Sequence, residues 1–156
     1  MDLRRHFFNC LIKLAKKDKD IILLTGDLGF NFIEEYAEKF PDQFINCGVI
    51  EQSMLGIAAG LASAGKKPYV YSGTLFIVAR AYEQLRDDIC YNNANVRLIG
   101  TKHSGFLGFS HNLQGLENTE DLLKNLPKLI RYYPEDEEEL ERAMESRGNY
   151  PLFIQL

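Results

Sequence analysis

Glu51 is the residue of this chain whose surroundings least suit its charge. It lies in "INCGVIEQSMLGIAAGLASAG", residues 45–65, where an apolar run ends in a glycine turn, the acid follows, and a helix of small and apolar residues begins. A carboxylate at a helix N-terminus is favoured by the macrodipole and by the free amides there, which in most proteins is reason enough for it. Here the flanking "CGVI" and "MLGIAAGLA" are too apolar for a solvated surface acid. A carboxylate desolvated among them needs a specific partner, such as a basic ring nitrogen. Other polar residues also follow apolar runs: Thr25 to Asp27, Ser72 to Thr74, and Thr101 onward. Asp27 reads equally as a turn or cap residue and as a second acid of a site. Of the three histidines, His103 and His111 fall in a glycine-rich stretch and His6 lies on an N-terminal helix where a structural role is expected. Cys10, Cys47 and Cys90 are scattered with no CxxC or metal-type spacing, so no metal site is expected and the thiols read as buried and reduced.

The elements that must position these residues follow from hydrophobic periodicity. Leu3, Phe7, Leu11 and Leu14 predict a helix over 2–17, which Asp2 could cap. "IILLTGD" (21–27) is a continuous apolar run, as in a strand buried on both faces. A short helix over 31–40 stops at Pro41, "QFINCG" forms a second strand, and 51–64 is the small-residue helix. "KPYVYSG" (67–73) is a third strand, followed by a long helix with Ile77, Ala81, Leu85 and Ile89 on one face. "NVRLIGT" (95–101) is a fourth strand. Then come the loop "KHSGFLGFSHNLQG", a short helix near 119–125, a strand at "KLIRYY", an acidic helix near 135–147 and a strand at "YPLFIQL". Strand and helix alternate throughout, which predicts one doubly wound α/β domain over 1–156 with a mainly parallel sheet and helices on both faces. Ligands of such sheets collect beyond the carboxyl ends of the strands, where the polar residues named above would meet.

Composition narrows the function classes. A chain of 156 residues that is 46% hydrophobic and 26% charged has the makings of a globular core. A net charge of −4 gives no general electrostatic reason to bind nucleic acid or an anionic membrane. No apolar run approaches the ~20 residues needed to span a bilayer, and the amphipathic N-terminus lacks the core of a signal peptide. A cytoplasmic location is the expectation.

Residues 46–72, "NCGVIEQSMLGIAAGLASAGKKPYVYS", resemble the pyrimidine-binding (Pyr) domain of transketolase-like thiamine diphosphate enzymes, whose pattern is roughly N-x-G-I-A-E-Q-x-M-x-G-x-A-A-G-L-A-x-x-G. The likeness extends to "IILLTGDLG", "RAYEQLRDDICYNNANVRLIGT" and "ENTEDLLKNLP", and so over nearly the whole chain. It is closest to the small-subunit form of split transketolases. The resemblance implies that Glu51 hydrogen-bonds N1′ of the cofactor's aminopyrimidine. That contact favours the tautomer whose 4′-nitrogen takes the proton from the thiazolium C2. It implies that Asp27, the acid of "GD", lies near the thiazolium, and that Phe76 packs on the aminopyrimidine ring. His103 roughly matches the first of the family's substrate-contacting histidines, while His111 has no firm counterpart.

The chain departs from the family pattern in three places. Gly73 stands where a phenylalanine is usual, the loop at 102–117 lacks G-P-T-H, and Gln155 replaces the arginine of an R-L pair. The family's G-D-G…N signature for magnesium and diphosphate finds no match, "GDLGFN" at 26–31 being only superficially similar. The resemblance therefore implies a partner, the diphosphate-binding (PP-domain) subunit, which holds Mg2+ and completes the thiamine diphosphate site. A heterotetramer with two copies of each chain and no third, C-terminal domain in this one is the expected assembly. The expected reaction is transfer of a two-carbon ketol unit between sugars. A 2-oxoacid decarboxylase or carboligase subunit, and a non-catalytic regulatory paralogue, are the alternatives.

Overall fold

The computed structural model describes residues 2–101, 119–146 and 148–156. Its apolar runs become the strands of one sheet: β1 (Ile21–Thr25), β2 (Phe44–Asn46), β3 (Lys67–Gly73), β4 (Arg97–Thr101), β5 (Ile130–Tyr132) and β6 (Leu152–Gln155). They lie in the order β2-β1-β3-β4-β6-β5, and every pair is parallel. Every residue of β1, β4 and β6 is buried, because helices cover both faces, whereas the edge strands β2 and β5 are largely exposed.

Alternate residues of each strand feed two separate cores. Ile22, Leu24, Val70, Leu98 and Phe153 point to one face. There they meet α3 (Glu51–Ser63) through Met54, Leu55 and Ala58, and α5 (Thr119–Leu123) through Leu123. Ile21, Leu23, Tyr69, Tyr71, Ile99, Leu152 and Ile154 point to the other, under α1 (Arg4–Ala15) and α6 (Glu137–Glu145). Between β1 and β2 the chain forms α2 (Glu34–Lys39). Asp136 caps α6 by accepting the Glu139 N–H at 2.8 Å, and Glu139 returns a carboxylate oxygen to the Glu135 N–H at 2.9 Å. Asp2 accepts the Arg4 N–H at 3.1 Å as expected, although the residue at the cap position of α1 is Leu3.

The helix after β3 departs from the expected regular α-helix. We call it α4: a π-helical stretch over Phe76–Arg80, a short α-helical piece over Tyr82–Gln84, and a second π-helical stretch over Leu85–Tyr91. The reason is in the spacing. Steps of four residues drift by about 40° each around a 3.6-residue helix, so Ile77, Ala81, Leu85 and Ile89 would spiral out of the core. Mixing in wider turns keeps all four fully buried.

From β1 the chain moves outward to β2, then crosses back past β1 to β3. The connections on either side of the β1/β3 boundary thus leave in opposite directions. A crevice opens there beyond the carboxyl ends of the strands.

Candidate active site

Glu51 opens α3, and its side chain turns inward: only 1% of it is exposed. Its carboxylate lies across the β1/β3 crevice. Oε1 accepts a hydrogen bond from Ser72 Oγ of β3 at 3.2 Å. On the β1 side it meets Gly26, where a Cβ would stand 3.1 Å from Oε1 and 3.1 Å from Ser72 Oγ. A side chain at position 26 would crowd both groups, and glycine lets the backbone itself form a wall of the pocket. Oε2 accepts from Arg80 Nη1 at 2.9 Å.

Arg80 comes from α4, and its guanidinium also lies over the ring of Phe76 with Cζ 4.2 Å from the centroid. One planar cation thus satisfies a buried carboxylate and covers an aromatic face at once. Its side chain is 37% exposed, so it is the lid of the pocket rather than part of the core. The ion pair is anchored at one end only, and solvent can take its place.

Thr25 and Thr74, at two other strand ends, are used structurally. Thr25 Oγ1 donates to Leu28 O at 2.7 Å and accepts the Leu28 N–H at 3.2 Å, closing the turn after β1. Gln155, at the position of the family's arginine, donates from Nε2 to Thr74 Oγ1 at 3.2 Å and ties β6 to the segment after β3. Thr74 in turn occupies the space beside Gly100, where a Cβ would come within 2.5 Å of its hydroxyl oxygen.

The residues singled out from the sequence are thus partly assembled. Glu51 and Phe76 come together, bridged by Arg80. Asp27 stays on the rim: it is exposed, has a positive φ of 58°, and accepts from Asn46 Nδ2 at 3.0 Å, linking the ends of β1 and β2. His103 and His111 lie outside the described residues. His6 is remote from the crevice, on α1. Sequence reasoning passed over Arg80 and Gly26 as site residues and took Ser72 only as a strand-end polar group. The usable signal was the spacing of Phe76 and Arg80, four apart on one helix face, which puts a guanidinium over a ring.

Around this pocket the chain leaves apolar side chains in solvent. Phe30 follows β1, Val49 and Ile50 precede Glu51, and Ile57 lies on α3; all are exposed. Along α3, among the described residues, Gly60 has nothing within 4 Å of a notional Cβ, and Gly56 only Asp88 Oδ2 at 3.9 Å, so neither glycine is closely packed by them. Among the described residues, Gln84 Oε1, further along α4 from Arg80, is buried with no hydrogen-bond partner.

Comparison with known proteins gives a consistent result. The family model described as "Transketolase, pyrimidine binding domain" matches residues 1–155. The chain is 34% identical over 154 residues to an apulose-4-phosphate transketolase subunit of Phocaeicola vulgatus, covering 95% of this chain and 48% of that protein. It is 31% identical over 163 residues to the "Putative transketolase C-terminal section" of Methanocaldococcus jannaschii, with 99% and 50% covered. A solved structure, "Split gene transketolase, inactive beta4 tetramer", superposes with a TM-score of 0.82 at 30% identity, over 98% of this chain and 50% of that one. The chain spans about half the length of these relatives.

Proposed function

Since the chain belongs to the family of transketolase pyrimidine-binding domains, we propose that it serves as the pyrimidine-domain subunit of a two-component, thiamine diphosphate-dependent transketolase-like enzyme. The reaction is transfer of a two-carbon ketol unit between sugars. The observation that carries the reading is the triple contact of Glu51, Arg80 and Phe76 in the β1/β3 crevice. A pocket that presents a buried carboxylate oxygen to an N–H, and an aromatic face to a flat group, suits an aminopyrimidine as well as it suits a guanidinium.

Thiamine diphosphate, when bound, supplies the carbon nucleophile and electron sink of the reaction. This chain's residues bind and orient it. Glu51 offers Oε2 to a ring nitrogen and holds a proton there, while Ser72 keeps the carboxylate in place through Oε1. Phe76 provides an apolar wall, and Gly26 leaves the room that a side chain would fill. Arg80 yields Oε2 when the ring takes its place. His103, which roughly matches a substrate-contacting histidine of the family, serves the sugar, and Asp27, on the rim beside the pocket, lies near the thiazolium.

Diphosphate and Mg2+ belong, in this reading, to the partner subunit. The exposed Phe30, Val49, Ile50 and Ile57, beside the open small-residue face of α3, support an apolar contact with it. So do the relatives whose names mark them as subunits or split-gene products. A second reading keeps the cofactor but takes a 2-oxoacid donor. It is favoured by Gln155, which stands in for an arginine and is spent on Thr74.

The test is co-purification with a chain that carries the G-D-G…N signature, followed by titration with thiamine diphosphate and Mg2+. The expected result is tight binding only by the pair, with turnover of a ketose donor and an aldose acceptor. Turnover of pyruvate in place of a ketose selects the second reading. Absence of cofactor binding by the complex overturns both.

A further inference from the structure

On the face of the sheet opposite α3, α1 and α6 pack side by side, and each presents two donor residues four positions apart. His6 and Cys10 share one face of α1; Glu137 and Glu141 share one face of α6. Cys10 is buried, His6 half-buried, and the two carboxylates reach in from the solvent side. His6 Nε2 lies 2.9 Å from Glu141 Oε1, and Cys10 Sγ lies 3.7 Å from the same oxygen. The three donor atoms all fall within 4.8 Å of one another. On the other edge of the imidazole, Nδ1 faces Glu137 Oε2 at 3.2 Å.

We propose that His6 Nε2, Cys10 Sγ and the Glu141 carboxylate form a binding site for one divalent cation of the zinc type, with Glu137 orienting the histidine. A nitrogen, a sulfur and a carboxylate oxygen suit a borderline-soft ion, whereas magnesium and calcium select oxygen donors alone. Zinc takes such ligands at about 2.0–2.3 Å, so the donor atoms need only small side-chain rotations to converge. Glu141 is 47% exposed and free to make them. Glu137 on Nδ1–H fixes the tautomer that leaves Nε2 a lone pair for the metal, an arrangement common behind metal-bound histidines. Three protein ligands leave the fourth tetrahedral position to water. On binding, the cation replaces the Cys10 thiol proton and the proton between His6 Nε2 and Glu141, and both pass to solvent. In the absence of a cation, burial, with Glu141 adding to it, pushes the Cys10 thiol up to about 11. The cluster is therefore no thiolate nucleophile in its own right. A filled site would clasp α1 to α6 across the second core.

The experiment uses the full chain, stripped with a chelator and titrated with Zn2+ alone and, separately, with Co2+ alone. The expected result is one equivalent bound, a zinc-dependent rise in Tm, and a cobalt spectrum with a thiolate-to-metal charge-transfer band and tetrahedral d–d bands. Cys10→Ser removes the charge-transfer band, His6→Gln weakens binding at least tenfold, and Glu137→Gln weakens it about 10–100-fold. Cys47→Ser and Cys90→Ser leave the titration unchanged. His6→Gln alters a half-buried side chain and keeps the test decisive if Cys10→Ser does not fold. Absence of a charge-transfer band in the unmodified chain overturns the proposal. So does a band that persists in Cys10→Ser, or undiminished affinity in His6→Gln.

Discussion

Two arginines stack on aromatic rings at opposite edges of the sheet, and they are held in opposite ways. At the amino edge Arg97 opens β4 and is 7% exposed. Its Nη1 donates to Asn95 Oδ1 and to Tyr150 O at 2.8 Å each, and its Nη2 to Ser146 O at 3.2 Å and Gly148 O at 3.1 Å. Its Cζ sits 5.5 Å from the centre of the Tyr150 ring. Those acceptors are all neutral oxygens, and burial lowers the pKa of the guanidinium. At the carboxyl edge Arg80 has, among the described residues, a single charged acceptor, a nearer ring and an open side. The first cation is a rivet joining the end of α6 and the approach to β6 to the start of β4. The second can leave. Immobility comes from several neutral acceptors fixed on separate segments, whereas one carboxylate at the solvent margin makes a bond that a ligand can take over.

Four substitutions break or sharpen this contrast. Glu51→Gln removes the buried carboxylate at the carboxyl edge; on the function proposed above, turnover of the reconstituted enzyme falls about 10²–10⁴-fold. Steady-state rates within threefold of the unmodified enzyme would remove Glu51 from the mechanism. Arg97→Met strands the carbonyls at the amino edge and costs about 2–4 kcal/mol of stability in urea unfolding, with cofactor affinity of the complex unchanged. A cost under about 1 kcal/mol would mean that Arg97 is no rivet. Arg80→Met costs only about 1 kcal/mol, because water reaches the place it vacates, and cofactor affinity measured by calorimetry rises about three- to tenfold. A drop in affinity would show that Arg80 holds the ligand rather than making way for it.

The smallest effect is at Asp18, on the amino edge, whose carboxyl is held below its usual 3.8 chiefly by a hydrogen bond from Lys67 Nζ at 2.5 Å. A carboxyl lowered in the folded state stabilises above its unfolded value. That contribution is lost as pH falls through the folded value, below 3.8. The difference in urea midpoint between the unmodified chain and Asp18→Asn is expected to be present at neutral pH and to vanish in acid. A difference that grows in acid would reverse the assignment.

The sheet was legible because its strands are continuous apolar runs bounded by glycine, proline and acids, a pattern that depends only on neighbours in sequence. Glu51 was legible for the same reason: its misfit is local. Arg80 was harder to see. An arginine on an amphipathic helix is ordinary until the fold shows that it faces a carboxylate 29 residues earlier. His6 and Glu141, 135 residues apart, become neighbours only when α1 and α6 dock on one face of the sheet. The irregularity of α4 could have been read from the sequence. Four core residues at strict steps of four drift around a pure α-helix, and only wider turns keep them on one face.

That irregularity has an evolutionary consequence. A π-turn is what remains when an α-helix takes in one extra residue while its two ends stay fixed. In α4 the ends are fixed by β3 and β4, which pair with each other from Tyr69 with Arg97 to Gly73 with Thr101. A lineage can insert or delete a single residue in this helix and re-aim Arg80 relative to Phe76 without shifting a strand. Descendants of this domain can therefore retune the mouth of the Glu51 pocket by length change as well as by substitution.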